Sequence, residues 1–124
     1  CFLTKIKIRV DDLDLQGELN DTPAAEAIAR GLPLKSRGSL WGEEIYFSIG
    51  VVVDDPATVS VVQEGDLGFW EPGNAFCIFY GRTPASRGNE IRPASPVNVV
   101  GRITSDWEAL KKLKRGPMVI VEKA

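Results

Sequence analysis

Histidine is absent from all 124 residues. That removes every Ser-His-Asp and Cys-His nucleophile and every histidine metal site. Cysteine is scarce: Cys1 and Cys77 are the two, and Cys77 sits inside the apolar run A-F-C-I-F. Two isolated thiols make no disulfide framework. A buried free thiol fits a reducing compartment, so the sequence predicts a cytoplasmic protein. No apolar run approaches the roughly 18 residues of a membrane span, and no signal-peptide pattern is visible. The chain opens at Cys1 rather than at a methionine, which leaves room for a segment ahead of it. An excess of basic charge is missing as well. Fifteen Lys+Arg stand against 17 Asp+Glu, a net charge of -2. Nucleic-acid-binding domains carry a clear basic excess, so neither nucleic acid nor membrane is an expected partner.

What is present suits one globular domain over residues 1–124. With 44% hydrophobic and 26% charged residues, the chain has the material for a core and a solvated surface. A second domain of ordinary size does not fit. A chain this long buries roughly two-thirds of its unfolded surface, enough to fold without disulfides or metal.

Residues 5–10 read K-I-K-I-R-V, a strict alternation that predicts a half-buried strand. Leu13, Leu15 and Leu19 continue it as a second strand, with Asp11-Asp12 as the turn. Thr22 can cap a helix whose first position is Pro23 and which runs to about Arg30. Gly31 suits a left-handed stop, and Pro33 prevents resumption. Residues 40–53 read as one strand bent at Gly50, with Ile45, Phe47 and Ile49 on one face and Glu44, Tyr46 and Ser48 on the other. Val59 and Val61 suggest a short strand, 75–80 a buried one, 85–96 a long loop, and 97–103 and 118–121 two further strands. Ser105 and Glu108 are spaced as a capping box. Trp107, Leu110 and Leu113 follow at helical spacing, and Lys111, Lys112, Lys114 and Arg115 crowd the helix C-terminal end. Seven or eight strands with two short helices, not regularly alternating, predict a mainly β fold. The expected architecture is a closed, mostly antiparallel β-barrel plugged or flanked by two helices.

Three stretches resemble the cyclophilins. I-K-I-R-V-D-D-L-D-L-Q-G-E-L-N-D-T-P-A-A-E-A-I (6–28) resembles their opening strand, turn, strand and helix start. P-G-N-A-F-C-I-F-Y-G-R-T-P (72–84) resembles their Gly/Asn-rich turn, aromatic strand and threonine. V-N-V-V-G-R-I-T-S-D-W-E-A-L-K-K-L (97–113) resembles their closing strand and helix, with Gly101 in place. W-G-E-E-I-Y-F (41–47) and the run 65–84 are closer still to a small prokaryotic group of minimal cyclophilin-like proteins of unassigned function. The resemblance implies a cyclophilin-like barrel. It also marks departures from the prolyl isomerases. Where those carry a strand with a catalytic arginine, this chain has Glu43 and Glu44 and no arginine. Cys77 falls at the place of their pocket phenylalanine, Ala85 near their pocket tryptophan, and Val97 at their pocket histidine.

The candidate ligand-binding residues are Trp41, Glu44, Tyr46, Trp70, Asn74 and Phe79. Glu44 and Tyr46 share a strand face as acceptor or base and donor, and Trp41 adds aromatic surface beside acid, which suits a cationic or amide-bearing ligand. The plain alternative is a solvent face. Trp70 is placed as a rim residue, Asn74 as a hydrogen-bond partner for a peptide backbone, and Phe79 as a pocket floor. Phe76 and Ile78 read as core. Glu44 and Arg82 are the weak catalytic candidates. Arg82, with Arg87 and Arg92, otherwise reads as a solvated loop arginine. Cys77 lacks a base to activate it and reads as structural. Asp12-x-Asp14-x-Gln16-Gly17 imitates a calcium loop, but its twelfth position is Pro23, so no metal is expected, and no cofactor is implied.

The leading expectation is a non-catalytic domain that binds a small molecule or an extended peptide. The first alternative is a weak prolyl isomerase with Arg82 or backbone amides replacing the missing arginine. The second is an amide hydrolase or lyase, or a subunit of one, with Glu43 or Glu44 as general base. Related cyclophilin-like modules in amide- and oxoproline-processing enzymes imply that second alternative. Oligomeric state is not legible.

Overall fold

The structure, a computed structural model, describes residues 4–124. Cys1, one of the two thiols, lies outside the described residues. The strands are β1 (Thr4–Val10), β2 (Leu13–Leu19), β3 (Leu34–Arg37), β4 (Ser39–Leu40) and β5 (Glu44–Ser48), then β6 (Asp66–Trp70), β7 (Ala75–Phe79), β8 (Asn98–Ile103) and β9 (Met118–Lys123). They form one nine-stranded sheet in the order β3-β9-β1-β2-β8-β6-β7-β5-β4. Every neighbouring pair is antiparallel.

The strongest alternation makes the first hairpin. Ile6, Ile8 and Val10 are buried while Lys5, Lys7 and Arg9 stay in water. Val10 pairs with Leu13 across the Asp11-Asp12 turn, where Asp11 takes a left-handed φ of 54°. Helix α1 (Pro23–Arg30) follows, with the Thr22 hydroxyl accepting from the Ala25 N–H at 3.2 Å and Pro23 in the first turn. Its buried face is Ala24, Ala25, Ala27 and Ile28. Gly31 departs from expectation. Its φ is -89°, right-handed. The last turn tightens instead, with Gly31 N–H on the Ile28 carbonyl at 3.0 Å, so the terminal carbonyls are met without a left-handed residue.

The sheet curls until its two edges meet. β3 and β4 are those edges, and only Gly38 separates them in the chain. The barrel therefore closes with one seam. Gly38 N–H donates to the Pro117 carbonyl at 2.7 Å, and a Cβ at Gly38 would stand 2.7 Å from Ile45 Cγ2. Inside lie Ile6, Ile8, Leu19, Phe69, Val100 and Val121, with Phe47 and Phe76 ring centroids 5.6 Å apart.

Three expectations are corrected. The run 40–53 is not one strand: it turns back at Gly42-Glu43 and loses its ladder after Ser48. Val59 and Val61 do not make a strand; isolated bridges join Val59 to Val97 and Val62 to Ile91. The second helix is a short 3-10 segment, Glu108–Lys112, so the described residues carry one α-helix and two 3-10 segments, the other being Glu71–Gly73. The capping box fails for a tertiary reason. The Ser105 hydroxyl accepts from Gln16 N–H at 2.9 Å, and Asp106 caps Glu108 N–H at 2.9 Å instead. Among the described residues no helix is long and apolar enough to cross a membrane.

A methyl group at the seam has nowhere to go, because Ile45 is fully buried. Gly38→Ala is expected to destabilise the protein by about 1–3 kcal/mol, the usual range for overpacking, read from urea unfolding midpoints. A loss under about 0.5 kcal/mol would mean the seam yields freely.

Candidate functional site

Antiparallel register decides which side chains meet outside the barrel. Tyr46 pairs with Cys77 and Glu44 with Phe79. Cys77 pairs with Gly68 and Ala75 with Trp70. Cross-strand partners project to one side, and so do alternate residues. Glu44, Tyr46, Cys77, Phe79 and Trp70 therefore share the outer face of β5, β7 and β6.

Trp41 joins them through the β4–β5 hairpin. Trp41 N–H donates to the Glu44 carbonyl at 2.9 Å, and Glu44 N–H to the Trp41 carbonyl at 3.2 Å. Gly42 takes φ +60° while Glu43 does not, the φ pattern of a type II′ hairpin turn. A side chain at Gly42 would also meet the Arg82 carbonyl and the Pro84 ring, each at 2.8 Å. The turn puts Trp41 directly across from Glu44.

The segment 85–97 covers this outer face. Thr83, buried, holds it: its hydroxyl donates to the Arg92 carbonyl, while Ser86 Oγ accepts from Thr83 N–H at 3.0 Å and Arg92 N–H at 3.1 Å. Val62, Ile91 and Val97 pack onto Ala75, Cys77 and Phe79 as a second apolar layer. The cover is incomplete. It leaves a cavity of about 200 Å³ lined by Trp41, Glu44, Tyr46 and Trp70 from the sheet side and by Pro93, Ala94 and Val97 from the loop.

Glu44 is the ionisable carboxyl in that lining, and it is only 6% exposed. Burial pushes it from the ordinary 4.5 up to about 7, partly opposed by the neighbouring Cys77 thiol. That thiol has the Ala75 carbonyl as acceptor at 3.8 Å. It is itself held well above its usual value, by burial first and then by the Glu44 charge, so it stays protonated. Trp70 is fixed by its indole N–H, which donates to Ser95 Oγ at 2.6 Å. It therefore offers the cavity ring surface rather than a donor.

Of the residues singled out in the sequence, Trp41, Glu44, Tyr46 and Trp70 come together around the cavity. Glu44 does not lie on a solvent face. Asn74, Phe79 and Arg82 are not part of the lining. Asn74 does bind a peptide backbone, but its own chain's: Nδ2 donates to the Val51 carbonyl at 2.7 Å and Oδ1 accepts from Val51 N–H at 3.0 Å. Phe79 is fully buried in the second apolar layer. Arg82 is exposed and donates to the Ser86 carbonyl at 3.3 Å. Glu43 is half-buried and lies against Gly81. Cys77 is buried, as a structural cysteine should be. Pro93 and Ala94 were missed, and Val97 was singled out only through the cyclophilin resemblance. Their signal is the spacing of Ile91, Pro93 and Val97 along an otherwise polar loop. Among the described residues no three potential metal ligands gather.

A carboxyl whose pKa rises on folding stabilises the fold when protonated. That contribution is present below about pH 4.5 and is lost as pH climbs through about 7. Wild type is expected to lose roughly 3 kcal/mol from this group between the two limits. Glu44→Gln keeps the shape and removes the slope. Urea midpoints at pH 5 and pH 8 should therefore converge in the variant, and equal slopes in both proteins would show that Glu44 is solvated.

The chain matches the family described as Cyclophilin-like over residues 4–122. Its structure is similar to the solution structure of the hypothetical protein AF2241 from Archaeoglobus fulgidus, with a TM-score of 0.82 and 41% identity, over 98% of this chain and 95% of that one. No curated protein matches it. The family match runs from the first described strand into the last, and the chain belongs to the cyclophilin-like family.

Proposed function

We propose that this protein is a non-catalytic binding domain that takes a compact small molecule, or one side chain of an extended peptide, into the cavity around Glu44. The observation that supports this most is the cavity's composition: aromatic and aliphatic walls with one carboxyl and no Lys, Arg, Ser or Thr. A pocket with mostly apolar walls and few polar anchors is built to hold and orient. At about 200 Å³ it is somewhat larger than the roughly 150 Å³ cavity that holds a benzene ring, so one ring or one branched head group fits. A free thiol buried at Cys77 supports a reducing, cytoplasmic setting.

Prolyl isomerisation of the cyclophilin type needs a guanidinium at the substrate carbonyl. Arg82 points to Ser86, and Arg92 is paired with Glu90 at 3.0 Å. A second reading, amide hydrolysis or elimination with Glu44 as general base, is favoured by a carboxyl pushed up to about 7, the range where a base works best at neutral pH. The lining supplies it no Lys or Arg to polarise a carbonyl.

The three tryptophans make the test direct. The Trp41 and Trp70 indoles report on the cavity, and Trp107, bonded to Glu64 at 2.9 Å, serves as the internal reference. Titration with small ring compounds and short peptides, followed by ¹H–¹⁵N NMR, is expected to move Trp41 and Trp70 and leave Trp107 still. An Ala-Pro peptide in the same tube is expected to exchange at its uncatalysed rate, tens of seconds. Accelerated exchange that Arg82→Ala abolishes would replace binding by isomerisation. Turnover of an amide substrate lost in Glu44→Gln would replace it by the general-base reading.

A further inference from the structure

We propose that the cavity selects a compact organic monocation, a tertiary or quaternary ammonium head group held between Trp41, Tyr46 and Trp70 with Glu44 as its counter-ion. This rests on the binding reading above and names the class of ligand.

Three observations carry it. The first is the wall chemistry. Two indoles and a phenol ring line one small cavity, and aromatic faces attract cations through their quadrupoles, most strongly where water is excluded. The Trp70 N–H is already spent on Ser95, so that ring has no donor for an anion or a carbonyl.

The second is the charge balance. The lining holds one carboxyl and no Lys or Arg. Two arginines of the covering segment and its approach are engaged elsewhere, Arg92 with Glu90 and Arg82 with Ser86. Among the described residues, the titratable group that β7 turns toward Glu44 is the neutral Cys77 thiol. Tyr46, two residues along β5, shares the lining, and β4 and the loop lining, Pro93, Ala94 and Val97, turn no titratable side chain toward Glu44. A buried carboxylate without a counter-ion is unfavourable, and a bound cation supplies one.

The third is the shortage of hydrogen-bonding groups. Besides Glu44, the lining's polar groups are the Tyr46 hydroxyl and the Trp41 indole N–H, so a sugar would leave most of its hydroxyls unpaired against Pro93, Ala94 and Val97. A quaternary ammonium needs no directed bonds, and the single N–H of a tertiary one can donate to Glu44. Its charge is diffuse and its surface is methyl. Cation binding should also draw Glu44 into its ionised form, so affinity rises with pH across the range where the empty site titrates, about 7.

The probes are choline and 3,3-dimethylbutan-1-ol, which has the same shape without the charge. Affinities are read from the Trp41 and Trp70 indole signals at pH 6 and pH 8. Choline is expected to bind about tenfold tighter at pH 8 than at pH 6, the ratio for a site that must lose a proton near 7. The neutral alcohol should bind at least about tenfold more weakly at pH 8 and show no pH dependence. Glu44→Gln should abolish the pH dependence for choline. The wild-type profile tests the idea even if that variant folds poorly. Equal or tighter binding of the alcohol would overturn selection for a cation and leave the binding reading standing. No saturable shift with choline would also overturn it, and ring compounds or peptides that still shift Trp41 and Trp70 would then keep the binding reading. If nothing shifts them, both fall.

Discussion

β7 is buried on both of its faces, and the architecture around the candidate site follows from that constraint. All five of its residues are out of water: Phe76 and Ile78 inside the barrel, Ala75, Cys77 and Phe79 outside it. Strands of an ordinary barrel need only one apolar face, because the other meets solvent. Here the outer face of β5, β7 and β6 must be covered. The segment 85–97 does this, pinned by Thr83 and Ser86 and bridged through Ile91 and Val97. A loop fits a pleated sheet less closely than another sheet would. The mismatch is the cavity, and Glu44 is the polar residue caught in it.

That placement sets stability against chemistry. A leucine at position 44 would suit the second apolar layer better than a carboxyl 6% exposed beside a thiol. The Cys77 thiol relieves it in part, and no cation reaches the lining. Locally unfavourable groups that a fold tolerates are often the ones it uses. The surrounding residues fit that reading. The Trp70 indole is locked by Ser95, and the backbone of Trp41 is held by a two-hydrogen-bond hairpin.

Much of the barrel was legible in the sequence where local pattern and tertiary structure agree. Ile6, Ile8 and Val10 alternate because one face of β1 is core, and Thr22-Pro23 starts a helix on local chemistry alone. β3 was not legible: among its four residues L-K-S-R, Leu34 is the lone apolar one. The hairpin at Gly42-Glu43 hid at the head of an alternating run: a continuous strand would put Trp41 and Glu44 on opposite faces, and the two-residue turn pairs them on the same one. The second helix failed because the Ser105 hydroxyl had a better partner, the edge of β2, 89 residues away in sequence. At the site, the shared face of Glu44 and Tyr46 was readable from period two. The burial of Glu44 was not, because it depends on a loop some fifty residues later in the chain. Asn74 shows the limit of residue-type reasoning. It does grip a backbone, and the partner is Val51.

The seam at Gly38 bears on how a peptide could ever be held. Many β-proteins recruit peptides by letting them lie down as an extra strand along a free sheet edge. Here the two edge strands are short, β3 of four residues and β4 of two, and they follow one another in the chain with Gly38 between them. The barrel thus offers little selvedge on which a guest backbone could be woven. Sequence discrimination among peptides would then come from a single inserted side chain rather than from a run of main-chain bonds. Such a domain would read one residue at a time and be indifferent to its neighbours.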